Sequence, residues 1–137
     1  MYLIDTNIFL EVMLKRRRSR ECKELLGLLR DGEIEGIVTD FTIHSIIVVL
    51  DRFKRLEALR KFLLSLRAYK GLYVYSTGLG CEVRAIDLAK ETGLDIDDAI
   101  QYSAALAVNA EAIVSFDKDF DNLKIPRKEP REILRNI

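Results

Sequence analysis

Short apolar runs alternate with helical stripes along the whole chain. Tyr2-Leu3-Ile4, Glu35-Gly36-Ile37-Val38, Leu72-Tyr73-Val74-Tyr75 and Ala112-Ile113-Val114-Ser115 are too short for helices and carry β-branched or aromatic residues. They are predicted as strands over 2–4, 35–38, 72–75 and 112–115. Between them, Cys22, Leu25, Leu26 and Leu29 recur at i, i+3, i+4 and i+7, with Gly32 as a stop. Leu56, Leu59, Leu63 and Leu66 form a second stripe closed by Gly71, and Cys81, Ala85, Leu88 and Ala89 a third closed by Gly93. Residues 98–108 are apolar almost throughout, which predicts a buried helix. Residues 41–53 pull both ways. Ile46-Ile47-Val48-Val49 is strand-like by branching, yet Ile43, Ile46, Ile47, Leu50 and Phe53 share a helix face that Thr39 or Asp40 would cap. A helix is predicted there. Strands alternating with helices indicate βαβ units, an α/β fold and a mainly parallel sheet.

Composition narrows the function classes. The chain has 137 residues and no repeat, linker or low-complexity segment, so a single domain over 1–137 is expected. Its formal net charge is +0, so affinity for a polyanion must come from local patches. Trp is absent and aromatics make up 8%, which argues against a broad base-stacking platform. Cys22, Cys81 and His44 cannot build a zinc site of the common Cys/His type. The two cysteines are expected as buried thiols in a reducing compartment. No basic segment precedes an apolar one at the N-terminus, and no apolar run approaches ~18 residues. A cytoplasmic protein with no membrane partner is expected.

The chemistry sits where the strands end. Asp5 directly follows the first apolar run, and Asp117 follows the last, with Asp119 and Asp121 close behind. In open α/β sheets, ligands collect just beyond the carboxyl ends of the strands. Carboxylates gathered there need neutralising, and a divalent cation is the usual means. Asp97 and Asp98 open the buried helix, where the helix N-terminus favours negative charge. Taken singly, Asp97 or Asp98 reads as an N-cap and Asp117 to Asp121 as a turn. Asp5 resists such a reading, because a carboxylate after an apolar strand is costly unless paired or metal-bound.

In order, these segments resemble the PIN domain, the nuclease fold of VapC-type toxins. Leu3-Ile4-Asp5-Thr6-Asn7 is similar to the family's first motif. Gly93-Leu94-Asp95-Ile96-Asp97-Asp98-Ala99 is similar to Gly-Leu-x-x-x-Asp-Ala with one residue to spare, and Ile113-Val114-Ser115-Phe116-Asp117-Lys118-Asp119-Phe120 to the strand followed by Thr/Ser-x-Asp-x-Asp-Phe. The tail Glu129-Pro130-Arg131-Glu132-Ile133-Leu134 resembles the closing helix. The resemblance implies a three-layer α/β/α sandwich with a mainly parallel sheet of four to five strands. It implies Asp5, Asp98 and Asp117 as catalytic ligands of Mg²⁺ or Mn²⁺, with water activated for RNA hydrolysis. Thr6, Asn7 and Ser115 would orient those carboxylates, with Asp97 and Asp119 beside them. By the same likeness the partners would be RNA, an antitoxin protein and a second copy of the chain.

One position departs from the family. Its second acidic residue, a Glu about six positions after a Ser/Thr, falls at Ser45, with His44 beside it as a conceivable general base. Asp40 lies too early on that helix and Asp51 nearly two turns too late, so only an unusual geometry would recruit either. Either Asp97 or Asp119 makes up the charge, or the chain binds metal weakly and acts as a regulatory module. A third class, phosphotransfer through an Asp nucleophile, fits less well: Asn7 stands where a second Asp would act, and no lysine follows a strand. Lys15-Arg16-Arg17-Arg18-Ser19-Arg20 is the strongest basic run, placed after a segment that begins beside Asp5. It is either a phosphate-binding flank or a solvated loop. Arg52, Lys54, Arg55, Arg60, Lys61, Arg67 and Lys70 read as solvated helix faces.

Overall fold

Adjacent residues of a strand point to opposite faces of its sheet, and this chain fills both faces with apolar side chains. In the computed structural model, which describes residues 1–137, Ile4, Val38 and Val114 pack into one core with Ile8, Phe9, Leu25, Leu29, Ile46 and Leu50. Leu3, Ile37 and Ile113 pack into a second with Ala85, Ala99, Ile100, Ala104 and Phe120. The elements run β1 (Tyr2–Ile4), α1 (Thr6–Met13), α2 (Ser19–Asp31), β2 (Gly36–Thr39), α3 (Asp40–Arg52), α4 (Leu56–Ser65), β3 (Leu72–Tyr75), α5 (Leu79–Thr92), α6 (Ile96–Ala107), β4 (Ala112–Val114), a 3₁₀ turn (Lys118–Phe120), β5 (Arg127–Lys128) and α7 (Pro130–Arg135). Helices α1 to α4 and α7 contribute to the first core, α5 and α6 to the second. The result is the expected α/β/α sandwich.

All five strands are parallel, in the order β3-β2-β1-β4-β5. The chain steps outward from β1 through β2 to β3, then returns to lay β4 on the other side of β1. The strand order therefore reverses between β1 and β4, and the crevice beyond their carboxyl ends is the topological switch point.

Some local expectations hold and others change. The ambiguous 41–53 segment is helical, and Thr39 is its cap, its Oγ1 accepting from the Thr42 N–H at 3.0 Å. Helix α1 and strand β5 were not foreseen, since α1 carries no clean stripe and β5 is two charged residues at a sheet edge. The α4 stripe was misplaced. Phe62 is its buried residue with Leu59 and Leu66 beside it, whereas Leu56 and Leu63 are 60% and 36% exposed. Gly71 is not a helix stop but a close approach: a Cβ there would collide with the Ile34 carbonyl oxygen. No helix is long and apolar enough to cross a membrane.

Candidate metal centre

Asp5 is the N-cap of α1 and only 7% exposed. Its Oδ1 accepts from the Thr6 N–H at 2.8 Å, and its Oδ2 accepts from Ser115 Oγ at 2.7 Å. Ser115 Oγ in turn accepts from the Asp117 N–H at 2.9 Å. The residues immediately beyond two neighbouring strands are thus stitched together by one carboxylate and one hydroxyl. The arrangement follows from the register, because Ile4 pairs with Val114 and the next residues must emerge side by side.

A side chain from α6 closes the network from below. Gln101, 2% exposed, donates through Nε2 to Thr42 Oγ1 at 2.7 Å and, at a longer 3.4 Å, to Asp5 Oδ1. Its Oε1 accepts from Thr39 Oγ1 at 2.7 Å. Thr42 Oγ1 lies 2.9 Å from Thr6 Oγ1. The Thr42 hydroxyl, which accepts from Gln101, thus also shares a hydrogen bond with the Thr6 hydroxyl, in which either oxygen can donate. Four elements, β1–α1, β2–α3, α6 and β4, meet in one satisfied polar knot.

Above the knot lies a pocket of about 310 Å³, lined by Asp5, Thr6, Asn7, Phe41, Ser45, Asp95, Asp97, Asp98, Gln101, Asp117 and Asp119. No Lys, Arg or His is among them. Carboxylate oxygens of Asp98, Asp117 and Asp119 lie within 4.8 Å of one another, as do those of Asp95, Asp97 and Asp98. Asp5 belongs to neither group and sits at the buried end of the pocket. Burial, then the charges of Asp97, Asp117, Asp5 and Asp119, push the Asp98 carboxyl up to about 7. Burial also raises Asp5, against the opposing hydrogen bonds from Ser115, Thr6 and Gln101. Hard oxygen donors with uncompensated negative charge suit a divalent cation such as Mg²⁺ or Mn²⁺, with free positions for water and phosphate.

The remaining expected residues are distributed unevenly. Ser115 binds the Asp5 carboxylate, as a residue orienting it would. Thr6 does so through its backbone N–H alone, because its hydroxyl faces Thr42. Asn7 lines the pocket without bonding a carboxylate. Ser45 also lines it, its Oγ turned back to the Phe41 carbonyl at 3.0 Å. Asp40, Asp51 and His44 lie outside. Burial raises the Asp40 carboxyl, but the N–H and hydroxyl of Thr77, at 3.1 and 2.7 Å, outweigh it and hold the group below its usual range. Asp51 and His44 are exposed on α3. Asp121 leaves the cluster to pair with Arg127 at 2.8 Å. Sequence reasoning missed Gln101, Thr42 and Asp95. The available signal for Gln101 was an amide one turn beyond Asp98 in a nearly apolar helix.

The PIN domain family model matches residues 2–126. No curated protein matches the chain in sequence. Among solved structures, a toxin of Mycobacterium tuberculosis, VapC20, described as a Sarcin-Ricin loop cleaving toxin, superposes with a TM-score of 0.74 at 15% identity, covering 91% of this chain and 96% of its own. A toxin–antitoxin complex from Klebsiella pneumoniae gives 0.71 at 19% identity, covering 95% and 98%. VapBC2 from Rickettsia felis, bound to a DNA fragment from its promoter, gives 0.70 at 18%, covering 93% and 97%. At such identities the structures speak for the fold, and the family model speaks for descent. Matched over nearly its whole length, this chain belongs to the PIN domain family.

Proposed function

We propose that the chain, as a single PIN domain, is a Mg²⁺- or Mn²⁺-dependent ribonuclease and the toxin half of a toxin–antitoxin pair. One observation carries the reading: the strand-end residues Asp5 and Asp117 are tied through Ser115 into a pocket that also holds Asp98 and contains no cationic side chain. Asp5, Asp98 and Asp117, with Asp119 alongside, would hold the cation. When bound, it supplies charge neutralisation for the scissile phosphate and a more acidic water. Asp5 keeps its orientation through Ser115, Thr6 and Gln101. Asp98, the carboxylate with the most to gain from a cation, is half-buried and belongs to both carboxylate groups. Asn7 offers an amide donor at the pocket rim, where a phosphate oxygen would approach. The toxin assignment is supported by the toxins and toxin–antitoxin complexes among the similar structures.

A second reading, a weakly active or inactive regulatory module, is favoured by Ser45 in place of the family's Glu. Titration with Mn²⁺ separates the two. Stoichiometric binding together with Mn²⁺-dependent RNA cleavage is the expected result, and neither would occur in an inert module. Ser45→Glu adds a fourth wall to the carboxylate ring and is expected to tighten Mn²⁺ binding about tenfold, since each added anionic ligand deepens the site. Unchanged or weaker binding would mean that Asp97 or Asp119 already occupies that role.

We also propose that two copies pair through α3 and α4. On and between these helices Val48, Phe53, Leu56 and Leu64 are 51%, 59%, 60% and 56% exposed, an apolar surplus for a self-complementary contact. Sedimentation at micromolar concentration should show a dimer, and Leu56→Glu with Leu64→Glu should give a monomer. A wild-type monomer would remove the proposal.

A further inference from the structure

Beside the acidic pocket, and sharing Asn7 with it, lies a second recess of about 290 Å³ lined by Asn7, Glu11, Arg16, Arg17, Arg18 and Phe116. A third of about 410 Å³ continues from it through Arg17 and Arg18 to Arg131, with Glu129 and Glu21 beside the last two as their ion-pair partners. An acidic floor therefore adjoins a basic shoulder, and the join runs through residues already tied to the metal centre. Phe116 stands between Ser115 and Asp117 in the chain.

The shoulder is anchored rather than loose. The Arg16 N–H donates to the Glu11 carbonyl at 2.9 Å, and the Arg18 N–H to Glu11 Oε2 at 2.9 Å, so α1 itself fixes the turn. The Arg18 guanidinium lies 4.2 Å from the centroid of the Phe116 ring and 3.9 Å from Glu129 Oε1. Arg18 is thus largely spent on structure. Arg16 and Arg17 are not: both are exposed, and none of the chain's ion pairs engages either. Two unpaired guanidiniums at a fixed place beside a carboxylate cluster constitute a site for a repeating anion.

We infer that this shoulder binds the sugar–phosphate backbone of single-stranded RNA, with Arg16 and Arg17 holding the phosphates next to the one over the acidic pocket. The identity of the polyanion rests on the ribonuclease reading. A repeating phosphodiester fits the alternation better than an acidic peptide does. A cation held by the carboxylates accepts phosphate oxygens, while the arginines take the neighbouring charges. Arg18 covers one face of Phe116, the only aromatic ring in the recess, so the contacts fall on the backbone and carry little sequence preference.

The test is a salt-dependent titration of the full chain with a fluorescent single-stranded RNA, in EDTA so that no cleavage occurs. Arg16→Ala/Arg17→Ala is expected to bind about tenfold more weakly at low salt, and its plot of log affinity against log salt to be shallower by about 1.4, for two single-strand phosphates lost. Arg60→Ala/Lys61→Ala on α4 should match the wild type. An unchanged slope in the Arg16/Arg17 variant would overturn the inference. So would an equal loss in the α4 variant, or a wild type that does not bind RNA. Loss of polyglutamate binding with RNA binding intact would make the shoulder a protein-docking face and overturn it too. Cleavage with Mn²⁺, measured separately on the wild type and Asp5→Asn, tests the ribonuclease reading. Cleavage that depends on Asp5 while the slope stays unchanged sinks only the shoulder. A changed slope without cleavage sinks only the nuclease.

Discussion

Asp98→Asn is expected to lower Mn²⁺-dependent RNA cleavage by roughly 10²- to 10³-fold and, in the same protein, to raise the melting temperature of the metal-free chain at pH 8. The loss follows because Asp98 belongs to both carboxylate groups of the pocket. The gain follows from linkage. Burial and the charges of Asp97, Asp117, Asp5 and Asp119 push the Asp98 carboxyl up to about 7, whereas an unfolded Asp titrates near ~3.9. Between those values the folded state binds the extra proton. The stability contributed by this group is therefore full below about pH 4 and lost as pH rises through about 7. Metal-free wild type should melt at a higher temperature at pH 5 than at pH 8, apart from other titrations, and Asn at this position should flatten that slope. Mn²⁺ should act in the opposite sense, stabilising the wild type most at pH 8, where no proton competes, and the variant hardly at all. Asp5→Asn should also lose cleavage. Its gain in stability should be smaller, because an amide cannot accept from both Thr6 and Ser115 as the carboxylate does. An Asp98→Asn protein that cleaves RNA like the wild type would end the nuclease reading; one with an unchanged pH slope would show that burial and the neighbouring carboxylates do not raise the Asp98 carboxyl.

Asp5 was legible because a carboxylate directly after an apolar strand is costly unless paired or metal-bound, and Asp117, a turn residue when taken singly, gained weight as the matching end of a second apolar run. The parallel sheet was legible for a related reason: β1, β2 and β4 are buried on both faces and read as continuous apolar runs. What the sequence hid depends on depth or on contact. Strand β5 has no apolar pattern, since Arg127 works as a tie between Asp121, Glu129 and the Ser115 carbonyl. The α4 stripe was misjudged because both of its faces carry leucines, and periodicity alone cannot choose the inner one. Gln101, Thr39 and Thr42 come from positions up to 62 residues apart and make sense only when hydrogen-bonded together. Asp40, too early on its helix to serve the cluster without an unusual geometry, is taken by the N–H and hydroxyl of Thr77.

The knot beneath the pocket sets the second large effect. Gln101→Leu is expected to destabilise the fold by about 2–4 kcal/mol, the cost of leaving two buried hydroxyls each short of one partner, which lowers the melting temperature by roughly 10 °C for a domain of this size. Thr39 Oγ1 would lose its acceptor and Thr42 Oγ1 its donor. Asp5 would lose the weaker of its contacts, the 3.4 Å bond to Oδ1, and with it part of what opposes burial in keeping that carboxylate charged. Mn²⁺ affinity should fall by about 10- to 100-fold, as it does when groups supporting a ligand are removed. Leu is close to Gln in size, so the change acts through polarity rather than through a cavity. Thr39→Val and Thr42→Val decide whether the mechanism is right. Added to Gln101→Leu, they remove the two hydroxyls left short of a partner, and the triple variant should be more stable than the summed single losses predict. Its Mn²⁺ affinity should nevertheless stay low, because Asp5 still lacks its amide partner. Simple additivity in stability would show that the three side chains do not act as one network, and full Mn²⁺ affinity in Gln101→Leu would show that Ser115 and Thr6 alone position Asp5.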